Sequence, residues 1–133
     1  RKNKHLKSIY HIKYAISNDG LNWKRNGHVA IDFKSSRELN IARPCVLKTE
    51  QGYESWFSYG YGGEYQIGYA VSVDGIKFNR DVSQVKVIKK SNQIYENKAV
   101  CHPFVVIHKG KKFMFYNGNS FGIDGIALAE ENK

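Results

Sequence analysis

His11–Arg25 reads HIKYAISNDGLNWKR, and Gln66–Arg80, 55 residues on, reads QIGYAVSVDGIKFNR. Both fit I-x-Y-A-x-S-x-D-G-(L/I)-x-aromatic-x-R, and self-similarity at a fixed spacing marks a repeated supersecondary unit. A second pair recurs around it. ARPCVLKTEQGYESWFSYG (Ala42–Gly60) and CHPFVVIHKGKKFMFYNG (Cys101–Gly118) each carry a Pro, an apolar run, a turn, an aromatic strand and a Gly. GIALA (Gly125–Ala129) then repeats the IGYAV of Ile67–Val71.

The segments between these anchors read as strands and turns. Ile9–Ser17 alternates as a half-buried strand closed by Asn18-Asp19-Gly20, and Trp23 opens a short return. Residues 31–40 are polar connection. Ala42–Lys48, broken early by Pro44, turns at Gln51-Gly52 into Tyr53–Tyr59. The glycine-rich Gly60–Glu64 leads to Gln66–Val73, and Asp74-Gly75 turns that strand toward Phe78. Residues 81–97 are connection with an apolar patch at 85–88, and Val100–Ile107, Lys112–Asn117 and Gly125–Ala129 are the last strands. No segment has helical periodicity. The expected fold is all-β: antiparallel meander blades of a β-propeller, about two and a half in this chain. The expected division is 1–40 as an incomplete blade and connection, 41–98 as a full blade and 99–133 as the last blade, all in one partial propeller.

Composition agrees. Nine Tyr, seven Phe and two Trp among 133 residues suit short strands and tight turns. No apolar run approaches the roughly 18 residues that span a bilayer, so no membrane partner is expected. RKNKHLKS shows no signal peptide, and a cytoplasmic location is the expectation, although the sequence does not begin with Met. Cys45 and Cys101 stand at opposite offsets from Pro44 and Pro103, on opposite strand faces, which predicts free thiols. No Cys-x-x-Cys and no His cluster predicts a metal, and no cofactor is expected. The net charge of +9 favours anionic partners, but its Lys and Arg are scattered and no nucleic-acid motif appears, so nucleic acid is not the expected partner. The S-x-D-G-x-x-(W/F) turns at Ser17–Trp23 and Ser72–Phe78 read as folding elements, with Asp and Ser binding backbone N–H groups and Gly supplying positive φ.

IKYAISNDGLNWKRNGHVAIDF, ELNIARPCVLK, YQIGYAVSVDGIKFNR and MFYNGNSFGIDGIALA together resemble the five-bladed propeller glycosidase superfamily of arabinanases, β-xylosidases and invertase-like enzymes. The resemblance covers nearly the whole chain and is nearest to the C-terminal half of uncharacterised putative glycosidases about twice its length. It implies acidic residues near the inner ends of the innermost strands. Glycoside hydrolysis needs two carboxyls, roughly 5–5.5 or 6.5–9.5 Å apart, across the scissile bond.

On that resemblance Glu38, six residues before Pro44, is a candidate catalytic acid, and so is Glu96 in the next unit. Arg43 beside Pro44 is suited to grip a carboxylate or a hydroxyl pair. His102 takes the equivalent place beside Pro103, and Asn117, Asn119 and Tyr59 complete the candidate substrate-binding set; Tyr61 and Tyr65 also suit sugar stacking. Where the relatives have a form like D-S-E-M-x-C-x-P, this chain has Glu96-Asn97-Lys98-Ala99-Val100-Cys101-His102-Pro103, so a cation replaces the second acid. Several candidates have a plainer alternative: a solvated loop residue for Glu38, a satisfied inner-strand histidine for His102, turn duty for the asparagines and blade packing for the tyrosines.

Two functions stay open. One is a glycoside hydrolase-like protein acting on, or derived from enzymes acting on, carbohydrate; the other is a non-catalytic glycan-binding or assembly module. The expected ligand is a carbohydrate, acidic sugars included. Two copies of two and a half blades each would close a ring of five, so a homodimer is expected.

Overall fold

The computed structural model describes residues 8–61, 64–81 and 87–131. The basic start of the chain, the glycine pair at 62–63 and the first half of the 85–88 patch lie outside the described residues, as does the side chain of Tyr61. Three antiparallel sheets account for the described strands. The first pairs β1 (Ile12–Lys13) with β2 (Val29–Ile31). The second is a meander of β3 (Asn40–Thr49), β4 (Gly52–Tyr61) and β5 (Glu64–Ser72). The third is a meander of β6 (Cys101–His108), β7 (Lys111–Asn117) and β8 (Ile126–Glu130). One turn of 3-10 helix, Asn119–Phe121, is the only helix among the described residues. None there is long and apolar enough to cross a membrane.

The strand expected over Ile9–Ser17 forms a ladder only at β1, with single bridges at Tyr10 and Ile16. Its partners explain this: β2 is three residues long, the register slips between Ile12 and Lys13, and Ile16 meets only Lys24. β2 itself falls where polar connection was expected to begin. The glycine-rich segment after Tyr59 is not an open loop, because β4 and β5 stay paired to Tyr61 and Glu64.

The middle sheet is apolar on both faces, as a sheet between two others must be. Ile41, Phe57 and Ala70 pack with Ile31 against the β1–β2 side. Trp56, Ile67 and Tyr69 pack against Val105, Met114 and Tyr116 of the third sheet. Gly68 is required on the first of these faces, since a Cβ there would enter the Phe57 ring.

The two S-x-D-G turns repeat almost atom for atom. Ser17 Oγ accepts the Gly20 N–H at 2.8 Å, and Asp19 Oδ1 accepts those of Leu21 and Asn22 at 2.8 and 2.7 Å. Ser72 accepts Gly75 N–H at 2.9 Å, and Asp74 accepts Ile76 and Lys77 at 2.8 and 3.1 Å. Gly20 and Gly75 have φ of 73° and 74°, outside the usual range of L residues. The aromatics differ: Phe78 packs into the core, whereas Trp23 lies over its own turn, 55% exposed, donating to Gly20 O.

Both thiols are free. Cys45 Sγ accepts the Val105 N–H at 3.2 Å, linking β3 to β6, and Cys101 is buried, which raises its thiol pKa.

Registers expose one asymmetry. Cys45, Trp56 and Tyr69 form a cross-strand row in the middle sheet, and Phe104, Phe115 and Leu128 form the corresponding row, counted from each Pro, in the third. Trp56 and Tyr69 are 2% and 7% exposed under the neighbouring sheet, while Phe104, Phe115 and Leu128 are 59%, 39% and 58% exposed.

Candidate functional site

β3 and β6 are interrupted at the same place. The β3–β4 register shifts between Ala42 and Cys45, and the β6–β7 register between Cys101 and Phe104. At each shift a residue-plus-proline pair, Arg43-Pro44 or His102-Pro103, stands opposite a single residue of the partner strand. Proline cannot donate to a ladder, so a bulge is where an inner strand can hold one. Arg43 and His102 have φ of 55° and 54°. A residue before proline prefers extended backbone, so both conformations are strained, on the order of 1–3 kcal/mol each. The strain is tied down for His102, whose N–H donates to Ser58 Oγ of β4 at 2.8 Å. Ser58 is the register partner of Ala42, so Arg43 and His102 sit at the same level on neighbouring sheets.

Around His102 the side chains converge. Its Nδ1 lies 3.2 Å from Asn117 Oδ1, and its ring stacks on Phe121 with centroids 5.7 Å apart and planes 15° from parallel. Phe121 also meets the Tyr65 ring at 5.7 Å and remains 60% exposed. Ser120 and Phe121 hold φ of 50° and 59°, a second strained pair. Tyr65 Oη is 2.8 Å from Tyr10 Oη, and burial together with that contact pushes its pKa up to about 12. A cavity of about 350 Å³ opens here between Glu64, Tyr65, Lys98, Cys101, Asn119 and Phe121. Glu64 is neutralised by Lys90 at 2.9 Å. A neighbouring hollow of about 340 Å³ shares Asn119 and includes exposed Asp124.

The other candidates lie differently. Glu38, 4% exposed, receives Arg80 Nη1 at 2.6 Å and Nη2 at 3.0 Å, plus the Lys34 N–H at 3.1 Å. Arg80 lies over the rings of Phe57 and Tyr59, at 5.1 and 5.2 Å, and donates to Asp32 O at 2.8 Å. Tyr59 therefore belongs with Glu38 and Arg80, and its hydroxyl donates to Gln66. Glu96, 6% exposed, accepts Ser91 Oγ at 2.5 Å and Tyr116 Oη at 2.7 Å. That contact and burial raise the Tyr116 pKa, burial most. Asn119 is a staple: Oδ1 accepts the Lys98 and Ala99 N–H groups, and Nδ2 donates to Ile94 O and Asn97 Oδ1. Those four bonds use the full capacity of its amide.

His102 and Asn117 thus meet, with Arg43 at the same level on the neighbouring sheet, while Glu38, beside half-buried Tyr59, and Glu96 are buried elsewhere. Phe121 and Arg80 were not singled out from the sequence. Arg80 carried a signal, as the last residue of the repeated motif, but Phe121 follows an Asn-Gly-Asn run with no counterpart in the other unit. A third buried carboxylate, Glu54, bridges Tyr69 Oη and Lys112 Nζ, each at 2.5 Å, and ties β4 to β7. No group of three or more potential metal ligands occurs among the described residues.

No family model matches the sequence. Two curated proteins of Mycobacterium tuberculosis, both described as uncharacterized, are 34% and 33% identical to it over 118 residues. The match takes in 89% of this chain, which spans 39% of the length of those relatives. Among solved structures, one described as a BT0996 RGII complex superposes with a TM-score of 0.70, and one described as a glycoside hydrolase with 0.64. Both are 20% identical, and each comparison covers 92% of this chain and 36% of the other. The fold is therefore glycosidase-like.

Proposed function

We propose that this chain is a carbohydrate-binding protein on a glycosidase-like propeller scaffold, receiving a sugar at the rim formed by Arg43, His102, Asn117 and Phe121. The observation that carries the proposal is the pair of strained bulges. Two unrelated side chains, Arg and His, are held in the same disfavoured conformation at the same level of adjacent sheets, and such strain collects where a side chain must be aimed. Phe121, stacked but mostly exposed, supplies the apolar face that a sugar ring packs on. Asn119 acts as a positioning residue.

The three sheets correspond, in this reading, to the units 1–40, 41–98 and 99–133 of a five-bladed ring. A second copy completes it, covering the exposed row of Phe104, Phe115 and Leu128. The support is the equivalence of that row with the covered row of Cys45, Trp56 and Tyr69.

Likeness to a glycoside hydrolase favours a second reading, hydrolysis with Glu38 and Glu96 as the acids. The engagement of both carboxylates with internal donors favours binding without turnover. Titration calorimetry with an oligosaccharide panel, beside hydrolysis of aryl glycosides, tests the two. Binding without turnover is the expected result. Turnover that disappears in folded Glu38→Gln and Glu96→Gln proteins would establish the hydrolase instead.

A further inference from the structure

The charge at the rim is lopsided. Arg43 is exposed, and its guanidinium makes no hydrogen bond or ion pair with any described residue. Lys98 is exposed and lines the 350 Å³ cavity; its backbone N–H is fixed by Asn119 while its ammonium has no partner among the described residues. The carboxylates close by are already answered: Glu64 by Lys90, Glu38 by Arg80, and Glu96 by two hydroxyls. Asp124, the exception, faces the neighbouring hollow. Lys98 therefore flanks the exposed ring of Phe121, and the forked guanidinium of Arg43 belongs to the neighbouring sheet at the level of His102, whose ring stacks on Phe121.

Resting on the carbohydrate reading above, we infer that the rim selects a sugar that carries a carboxylate, a uronic acid residue, gripped by Arg43 and Lys98 while its ring packs on Phe121. A guanidinium matches a carboxylate in plane and spacing, and an ammonium adds a point charge without directional demand. Neutral sugars would use the ring and the His102–Asn117 pair but leave both cations unanswered.

The test is calorimetric titration of the whole chain with a galacturonate oligomer, a neutral galactose oligomer of the same length, and inorganic polyphosphate. Arg43→Asn is the informative variant, because Asn tolerates the left-handed backbone while removing the charge; Lys98→Gln, Phe121→Ala and a distal control, Lys48→Gln with Lys109→Gln, accompany it. Expected is a preference of about tenfold or more for the uronate over the neutral oligomer. That preference should be lost in Arg43→Asn and in Lys98→Gln, kept in the distal control, and weakened at about 0.5 M salt by screening. Neutral affinity should not change in Lys98→Gln. Equal affinity for uronate and neutral oligomers would overturn the inference and leave carbohydrate binding standing. Polyphosphate binding as tightly as uronate, insensitive to Phe121→Ala, would overturn it in favour of charge alone. Binding to none of the three would overturn both readings.

Discussion

Arg80 holds Glu38 through both terminal guanidinium nitrogens, 42 residues away along the chain, with side-chain exposures of only 9% and 2%. The pair clamps the connection before β3 to the segment after β5, and Arg80 rests on Phe57 and Tyr59. A buried pair of this kind is costly to break, because the survivor is left charged and desolvated. Arg80→Met should lower unfolding free energy by about 3–5 kcal/mol, with the Arg80→Met/Glu38→Gln double variant recovering part of the loss. Urea unfolding measures this. Equal stability of wild type and Arg80→Met would show that the clamp contributes nothing.

The exposed row on the third sheet gives a prediction about assembly. Phe115→Glu should leave secondary structure intact, since Phe115 is on the uncovered face, and should convert a dimer to a monomer in sedimentation velocity. A wild type that sediments as a well-folded monomer would sink the second-copy proposal.

Gly118 stands between β7 and the Asn119 staple, and a Cβ on it would run into the Tyr95 carbonyl oxygen. Backbone cannot yield as a flexible side chain does. Gly118→Ala should cost about 1–3 kcal/mol and weaken sugar binding by displacing Asn119. Denaturation and titration of the same sample report the two effects, and an unchanged protein would contradict the packing described.

The acid limb of stability should come from the turns. Asp19 and Asp74 are held below the usual carboxylate range, first by the backbone N–H groups of Asn22 and Ile76 respectively. Asp32 is lowered chiefly by the Phe33 N–H, and Asp81 by its pairing with Lys34. A carboxyl with a lower pKa folded than unfolded contributes stability above its unfolded value, about 3.9, and loses it as pH falls through the folded one. The melting temperature should be nearly flat from about pH 7 to 5 and fall below about pH 4, less steeply in Asp74→Asn. A melting temperature that rises on acidification would refute this.

The turns and the six strands of the two larger sheets were legible in the sequence because they depend on neighbours: Asp-Gly at the turn and alternation along the strand. What was not legible depends on distance or on overruled propensity. Nothing near Glu38 announces Arg80, although the repeated motif ends on it. Local preference places Arg43 and His102 in extended backbone before their prolines, and the bulge overrides it. Phe121 sits in a polar run whose fold is set by Tyr65 and His102, far off in sequence. Of the residues proposed for the rim, Arg43, His102 and Asn117 can be named from the sequence, and Phe121 cannot.

The central claim is that these residues form one sugar-binding rim, and a nitrogen–proton NMR titration with the galacturonate oligomer tests it most directly. Shifts concentrated at Arg43, Lys98, His102, Asn117 and Phe121, saturating together, are the predicted result. Shifts confined to the hairpin ends at Glu50 and Lys109, or none at saturating ligand, would contradict it.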